Sequence, residues 1–100
     1  MTAINSVTDL AREGDVAVIT INNPPVNALG QAVRDGLIAA LDQAAKDDGA
    51  KAVLLICAGR TFIAGADISE FGKPLSGAGF LETQDKFDAM QKPVVAAIHG

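Results

Sequence analysis

Two apolar runs, Val16–Ile21 (Val-Ala-Val-Ile-Thr-Ile) and residues 52–58 (Ala-Val-Leu-Leu-Ile-Cys-Ala), bracket a stretch of helical period. That order constrains the fold more than any other feature. Between them, Val33, Leu37, Ile38, Leu41, Ala44 and Ala45 recur at the spacing of one helix face over residues 30–46. Strand, helix, strand in one sheet implies a parallel pair joined by a right-handed crossover. Ahead of this unit, residues 7–12 and Val16–Ile21 flank Glu13-Gly14-Asp15, the pattern of a β-hairpin. Asn22-Asn23-Pro24-Pro25 ends the second arm, because proline offers no N–H to a ladder. Gly36 costs about 1 kcal/mol relative to alanine inside a helix, so close packing is expected there. Gly49, after Asp47-Asp48, is expected to take the left-handed cap conformation.

Further on, residues 79–91 read as a second helix with Phe80, Leu81, Phe87 and Met90 facing inward. Lys92-Pro93 breaks it, and residues 94–98 (Val-Val-Ala-Ala-Ile) read as a third core strand. The predicted order is β-β-α-β-α-β, an α/β fold with no internal linker or repeat. Gly100 follows a core strand by two residues, where a parallel sheet should enter another loop and helix. Residues 1–100 are therefore expected to be the front part of a longer single domain.

Composition narrows the function. A net charge of −4 without a basic stripe argues against nucleic acid, and four Phe with no Tyr or Trp supply few stacking platforms. Cys57 is the only cysteine and lies mid-strand, which excludes a disulfide framework and a paired zinc motif and suits a small core residue. No basic-then-apolar leader opens the chain, and no apolar run nears the roughly 20 residues of a membrane span. The expectation is a soluble, intracellular protein without metal.

The richest motif follows the second core strand. Residues 59–71 read Gly-Arg-Thr-Phe-Ile-Ala-Gly-Ala-Asp-Ile-Ser-Glu-Phe. Ala64, Gly65 and Ala66 leave backbone N–H groups uncovered before a predicted helical turn at Asp67. Such donors favour an oxygen carrying negative charge, whether phosphate, carboxylate or a developing enolate. They can serve as an oxyanion hole. Asp67 and Glu70 could share a helix face as an acid/base pair, but capping the orphan N–H groups is the stronger reading of Asp67. Arg60 and Lys73 read as solvated charges before phosphate ligands, and His99 as a structural or solvated residue. Residues 23–30 lack the glycine spacing of a dinucleotide fingerprint, and the P-loop pattern is absent.

Three segments in this order resemble the enoyl-CoA hydratase/isomerase, or crotonase, superfamily. They are Pro24-Pro25-Val26-Asn27-Ala28-Leu29, the 59–70 run, and residues 92–100 (Lys-Pro-Val-Val-Ala-Ala-Ile-His-Gly). The Pro-Pro-Val-Asn-Ala wording is similar to the N-terminal hydratase part of multifunctional β-oxidation enzymes, in which a 3-hydroxyacyl-CoA dehydrogenase region follows. The resemblance implies a crotonase-like β-β-α spiral, of which residues 1–100 would be the N-terminal portion. It implies that the Ala66 backbone N–H is one oxyanion-hole donor to a thioester oxygen. Val26, Ala28, Ala64, Gly65, Ala66, Asp67 and Ile68 would form the acyl-CoA site, largely through main-chain groups.

The same resemblance places the second oxyanion donor and the catalytic glutamates beyond Gly100, so the hundred residues alone should be inactive. It implies enoyl-CoA hydratase activity in fatty-acid β-oxidation, with Δ3-Δ2 isomerase activity left open. Acyl-CoA is then the substrate, no cofactor is needed for hydration, and NAD enters only with a dehydrogenase region. The expected location is cytoplasmic, or peroxisomal in a eukaryote, and a homo-oligomer is left open. Two alternatives stand: another crotonase-type reaction such as dehalogenation, ring opening or decarboxylation, and a non-catalytic acyl-CoA-binding module.

Overall fold

The computed structural model describes residues 2–24, 27–59, 61–63 and 80–98. The chain runs β1 (Thr2–Asn5), β2 (Thr8–Glu13), β3 (Val16–Ile21), α1 (Gln31–Lys46), β4 (Ala52–Cys57), α2 (Phe80–Asp88) and β5 (Val94–Ala96). These strands form one five-stranded sheet in the order β1-β2-β3-β4-β5. β1, β2 and β3 pair antiparallel, whereas β3, β4 and β5 pair parallel across the two helices. The α/β reading and the parallel pairing of the two apolar runs are thus borne out.

Side-chain alternation explains where the core lies. In β3, Ala17, Ile19 and Ile21 point to one face, and their register partners Val53, Leu55 and Cys57 of β4 point the same way. α1 lays Val33, Leu37, Ala40, Leu41 and Ala44 over that face, and all eleven residues belong to one buried cluster. Ala45, expected on the inward face, is exposed, and Ile38 is half-buried. The buried stripe runs 33, 37, 40, 41, 44, and Ala45 lies about 40° of rotation past Leu41 at its edge. The Cys57 thiol is pushed above its ordinary pKa by burial, with a backbone hydrogen bond at Ile63 acting in the opposite direction.

The hairpin turn behaves as expected, with Gly14 at φ +61°, a conformation that suits glycine. Gly36 also has a packing reason. A Cβ there would collide with the Thr8 hydroxyl and lie 2.7 Å from Thr8 Cβ and 2.9 Å from Asn5 Nδ2. α1 therefore sits directly on the β1–β2 corner, where the Asn5 side chain also donates to the Ala32 carbonyl at 2.7 Å.

Several expectations need correction. β1 has no counterpart in the sequence reading, because Thr-Ala-Ile-Asn is too short and too polar to show a period. Gly49 is not left-handed. α1 instead ends on Asp47 in an extended conformation, whose carboxylate accepts from Gly49 N and from Arg12 Nη1, both at 3.0 Å. A Cβ at position 49 would meet the Arg12 guanidinium, the movable end of a half-exposed side chain. Leu81, expected inward, is 75% exposed. The inward face of α2 carries Thr83 and Phe87, four residues apart, and Leu81 lies about 200° round the helix from Thr83. The 94–98 segment is a strand over its first three residues. Its ladder with β4 covers Val94–Ala96 and Ala97 N donates to Leu55 O at 3.0 Å, and among the described residues it lies last in the sheet, with Val95 57% and Ile98 77% exposed.

Candidate functional site

In open sheets with parallel strands, ligands gather outside the carboxyl ends of the strands. Here those ends lead into two loops, residues 22–30 after β3 and residues 58–63 after β4. The β4 loop starts as a continuation of the ladder, Ala58 N donating to Ile21 O at 2.7 Å, and then bends at Gly59, φ +81°. That positive φ is one glycine adopts without strain.

Asn27 ties the two loops together. It is 3% exposed and has a left-handed backbone, φ +54°, which asparagine tolerates better than most residues. Its N–H donates to Asn23 O at 2.8 Å, and its Oδ1 accepts from Asn23 N at 2.7 Å. Its Nδ2 donates to Ala58 O at 3.0 Å and to Thr61 O at 2.7 Å. Two carbonyls on one side and an N–H on the other fix which end of the amide faces which loop. Asn23 completes the knot through Nδ2, which donates to Ala28 O at 3.0 Å. At the start of α1 the buried Arg34 donates from Nη1 to Leu29 O at 3.0 Å.

Beside these loops lies a cavity of about 520 Å³ between α1, α2 and the sheet. Its walls are mostly apolar: Leu29, Leu55, Phe62, Ile63 and Phe87, with Thr83 on the α2 side. Among the described residues its lining has no carboxylate, histidine or lysine. Such an open apolar hollow can receive an apolar chain; proton transfer would need groups from elsewhere.

Of the predicted site residues, Ala28 is described. It is half-buried, and its carbonyl accepts from Asn23 Nδ2 and from Gly30 N. Val26, Ala64, Gly65, Ala66, Asp67 and Ile68 lie outside the described residues, as do Arg60, Glu70, Lys73 and His99. The structure does bring their neighbours together. Leu29 follows Ala28, Ile63 precedes Ala64, and both line the one cavity. Sequence reasoning missed Asn27 as the junction of the loops and missed Phe62, Ile63 and Thr83 as cavity walls. The Asn23/Asn27 pair was a readable signal, since asparagines flanking a proline turn bond backbone locally. No helix among the described residues is long and apolar enough to cross a membrane.

Comparison with known proteins agrees with this arrangement. Residues 11–100 match the family model described as enoyl-CoA hydratase/isomerase. A peroxisomal bifunctional enzyme of Danio rerio is 45% identical over 85 residues, covering 85% of this chain and 12% of that protein. A probable enoyl-CoA hydratase of Bacillus subtilis is 38% identical over 98 residues, covering 91% of this chain and 38% of that protein. The chain thus spans well under half the length of these relatives. Among solved structures, an enoyl-CoA hydratase/carnithine racemase from Magnetospirillum magneticum superposes with a TM-score of 0.85 at 34% identity, over 96% of this chain and 40% of that one. The mixed sheet with its two helices is therefore the crotonase-like β-β-α arrangement, and the chain belongs to the enoyl-CoA hydratase/isomerase family.

Proposed function

We propose that the protein carrying this chain is an enoyl-CoA hydratase of fatty-acid β-oxidation, with residues 1–100 forming the N-terminal part of one crotonase-like domain. The observation that carries this reading is the apolar cavity whose loop walls, Leu29 and Ile63, adjoin Ala28 and Ala64 in sequence. An acyl chain in that cavity would leave its thioester near the 64–68 run. There the Ala66 N–H would donate to the thioester oxygen, while main-chain groups around Val26, Ala28, Ala64, Asp67 and Ile68 would receive the rest of the CoA ester. Polarising the carbonyl makes the β-carbon electrophilic. Water adds there, losing a proton to a base, and the enolate collapses as its α-carbon gains a proton. The N–H donors act where charge develops, the arrangement that lowers such a barrier most.

Acid and base are assigned to glutamates outside this chain, in keeping with a cavity lining free of carboxylates among the described residues. Hydration by this route uses no cofactor, and NAD would serve only an attached dehydrogenase region. The name of the Danio rerio relative supports such a two-activity protein, and a peroxisomal location if the source is a eukaryote. The Bacillus subtilis relative, named a probable enoyl-CoA hydratase, supports a hydratase without that second activity; a cytoplasmic location is the reading if the source is a bacterium. Δ3-Δ2 isomerisation would draw on the same enolate-stabilising donors.

The test is Gly65→Val in the full-length protein, followed by the loss of conjugated enoyl-thioester absorbance. Added side-chain bulk at the donor run is expected to lower kcat by about 100-fold or more, the scale of losing one oxyanion donor. Unchanged turnover in the variant would overturn the assignment of the loop. A wild-type protein inert towards enoyl-CoA would overturn the hydratase reading itself.

A further inference from the structure

We infer that Asn27 is a positioning residue that sets the register between the loop after β3 and the loop leading to the 64–68 run; the inference rests on the enoyl-CoA reading above. Four observations converge on it. The residue is 3% exposed, so its side chain serves the protein and not the ligand. Both of its amide donors are spent on one loop, at Ala58 O and Thr61 O, while its Oδ1 and main chain hold Asn23 of the other. Its backbone sits at φ +54°, where most residues would be strained. The two segments it joins, through Leu29 on one side and Phe62 and Ile63 on the other, are walls of the same cavity.

The chemistry explains why one amide does this. A carbonyl at the end of β4 and another three residues later, across the bend at Gly59, both need a donor. A single NH₂ group, with two hydrogens diverging from one nitrogen, satisfies both and fixes their separation. Thr61 precedes Ala64 by three residues, so a shift of the Thr61 carbonyl displaces the donor run it leads into. Oxyanion donors are sensitive to such displacement because they must meet the oxygen of the transition state, not the ground-state carbonyl. Asn27 therefore acts on turnover more than on ligand binding.

Two variants of the full-length protein separate the contributions. Asn27→Gly accepts the positive φ and removes all side-chain bonds. Asn27→Asp keeps an acceptor for Asn23 N but turns a carboxylate towards two carbonyls. Both are expected to melt cooperatively and to lose about 100-fold in kcat, the effect of a displacement near 1 Å at a reacting centre. The dissociation constant for a saturated acyl-CoA, which cannot be hydrated, should rise by much less than kcat falls, because spread-out main-chain contacts to the CoA ester tolerate a displacement that oxyanion donors do not. Asn27→Asp should regain activity as pH falls, since a protonated carboxyl can donate to one of the carbonyls, whereas Asn27→Gly should not. Wild-type kcat in either variant, or parallel losses of kcat, acyl-CoA affinity and melting temperature, would overturn the inference. Should the wild-type protein not hydrate enoyl-CoA at all, the functional reading fails, and hydrogen exchange over residues 58–63 still decides the clamp. Faster exchange there in Asn27→Gly, with β2 and β3 unchanged, sustains it; unchanged exchange removes it.

Discussion

Residues 2–57 and residues 58–98 are held together in different ways. In the first region every second residue of β3 and β4 joins the α1 side chains in one buried cluster, and these inward side chains are at most 6% exposed. In the second, α2 and β5 stand around an apolar cavity, while Leu81, Val95 and Ile98 are more than half exposed. Among the described residues, the first region is thus closed by its own side chains, and the second leaves space. A rigid unit supplies fixed strand ends, and the segments after it supply walls that a ligand can fill. The Asn27 bonds to Ala58 and Thr61 sit at the seam between the two.

The largest expected contrast comes from one leucine in each region. Leu41→Ala empties a site that is 0% exposed at the centre of α1 and should cost about 2–5 kcal/mol. Leu81→Ala, at 75% exposed, should stay within about 0.5 kcal/mol. Denaturant melts of the two variants check this, and comparable losses would break the distinction between a closed and an open region. A smaller effect tests how tightly the closed region is built. Gly36→Ala gains helix propensity but forces a methyl against Thr8 and Asn5, with a net loss of about 1–3 kcal/mol expected from overpacking. Adding Thr8→Ala should recover part of that loss, since Thr8 Oγ1 is buried without a hydrogen-bond partner. Additive losses in the double variant would mean that α1 does not rest on Thr8.

What could be read in advance follows from how local the determining physics is. The β3–α1–β4 unit was legible because its periods of two and 3.6 are written in Ile19, Ile21, Leu37, Leu41, Val53 and Leu55, each of which faces the shared core. β1 was not, since its place depends on pairing with β2 and on the Asn5 side chain reaching Ala32, neither of which shows as periodicity. Gly49 misled for a similar reason: a glycine after a helix usually marks a cap, but here the Asp47 carboxylate closes the end, holding Gly49 N and Arg12 from a distant strand. At the site, the 59–70 motif spoke for chemistry, yet the chamber is walled by residues from four elements whose convergence is tertiary. Phe62 and Thr83 carry no signature of it alone. Asn27 stood within a recognised motif as one letter, and only its four hydrogen bonds, to Asn23, Ala58 and Thr61, reveal what it holds.

The smallest effect concerns the join itself. Lys92, in the open region, sends Nζ to the Ala44 and Asp47 carbonyls, at 2.7 and 2.8 Å, closing the C-terminal end of α1. A cation at that pole adds a second donor to carbonyls that already accept from Asp47 N and Ala50 N, and it opposes the negative end of the helix dipole. Nearby, Lys86 meets Asp42 at 2.6 Å, but both side chains are at least one-third exposed, so that pair contributes little. Lys92→Met keeps much of the aliphatic stem and removes the charge, and a loss of about 1 kcal/mol is expected. The informative readout is local. Hydrogen exchange should quicken in the last turn of α1 and in α2, while the amides of β2 and β3 keep their protection. If instead the whole sheet loosens, the two regions share one cooperative core, and the contrast drawn from their packing does not extend to their stability.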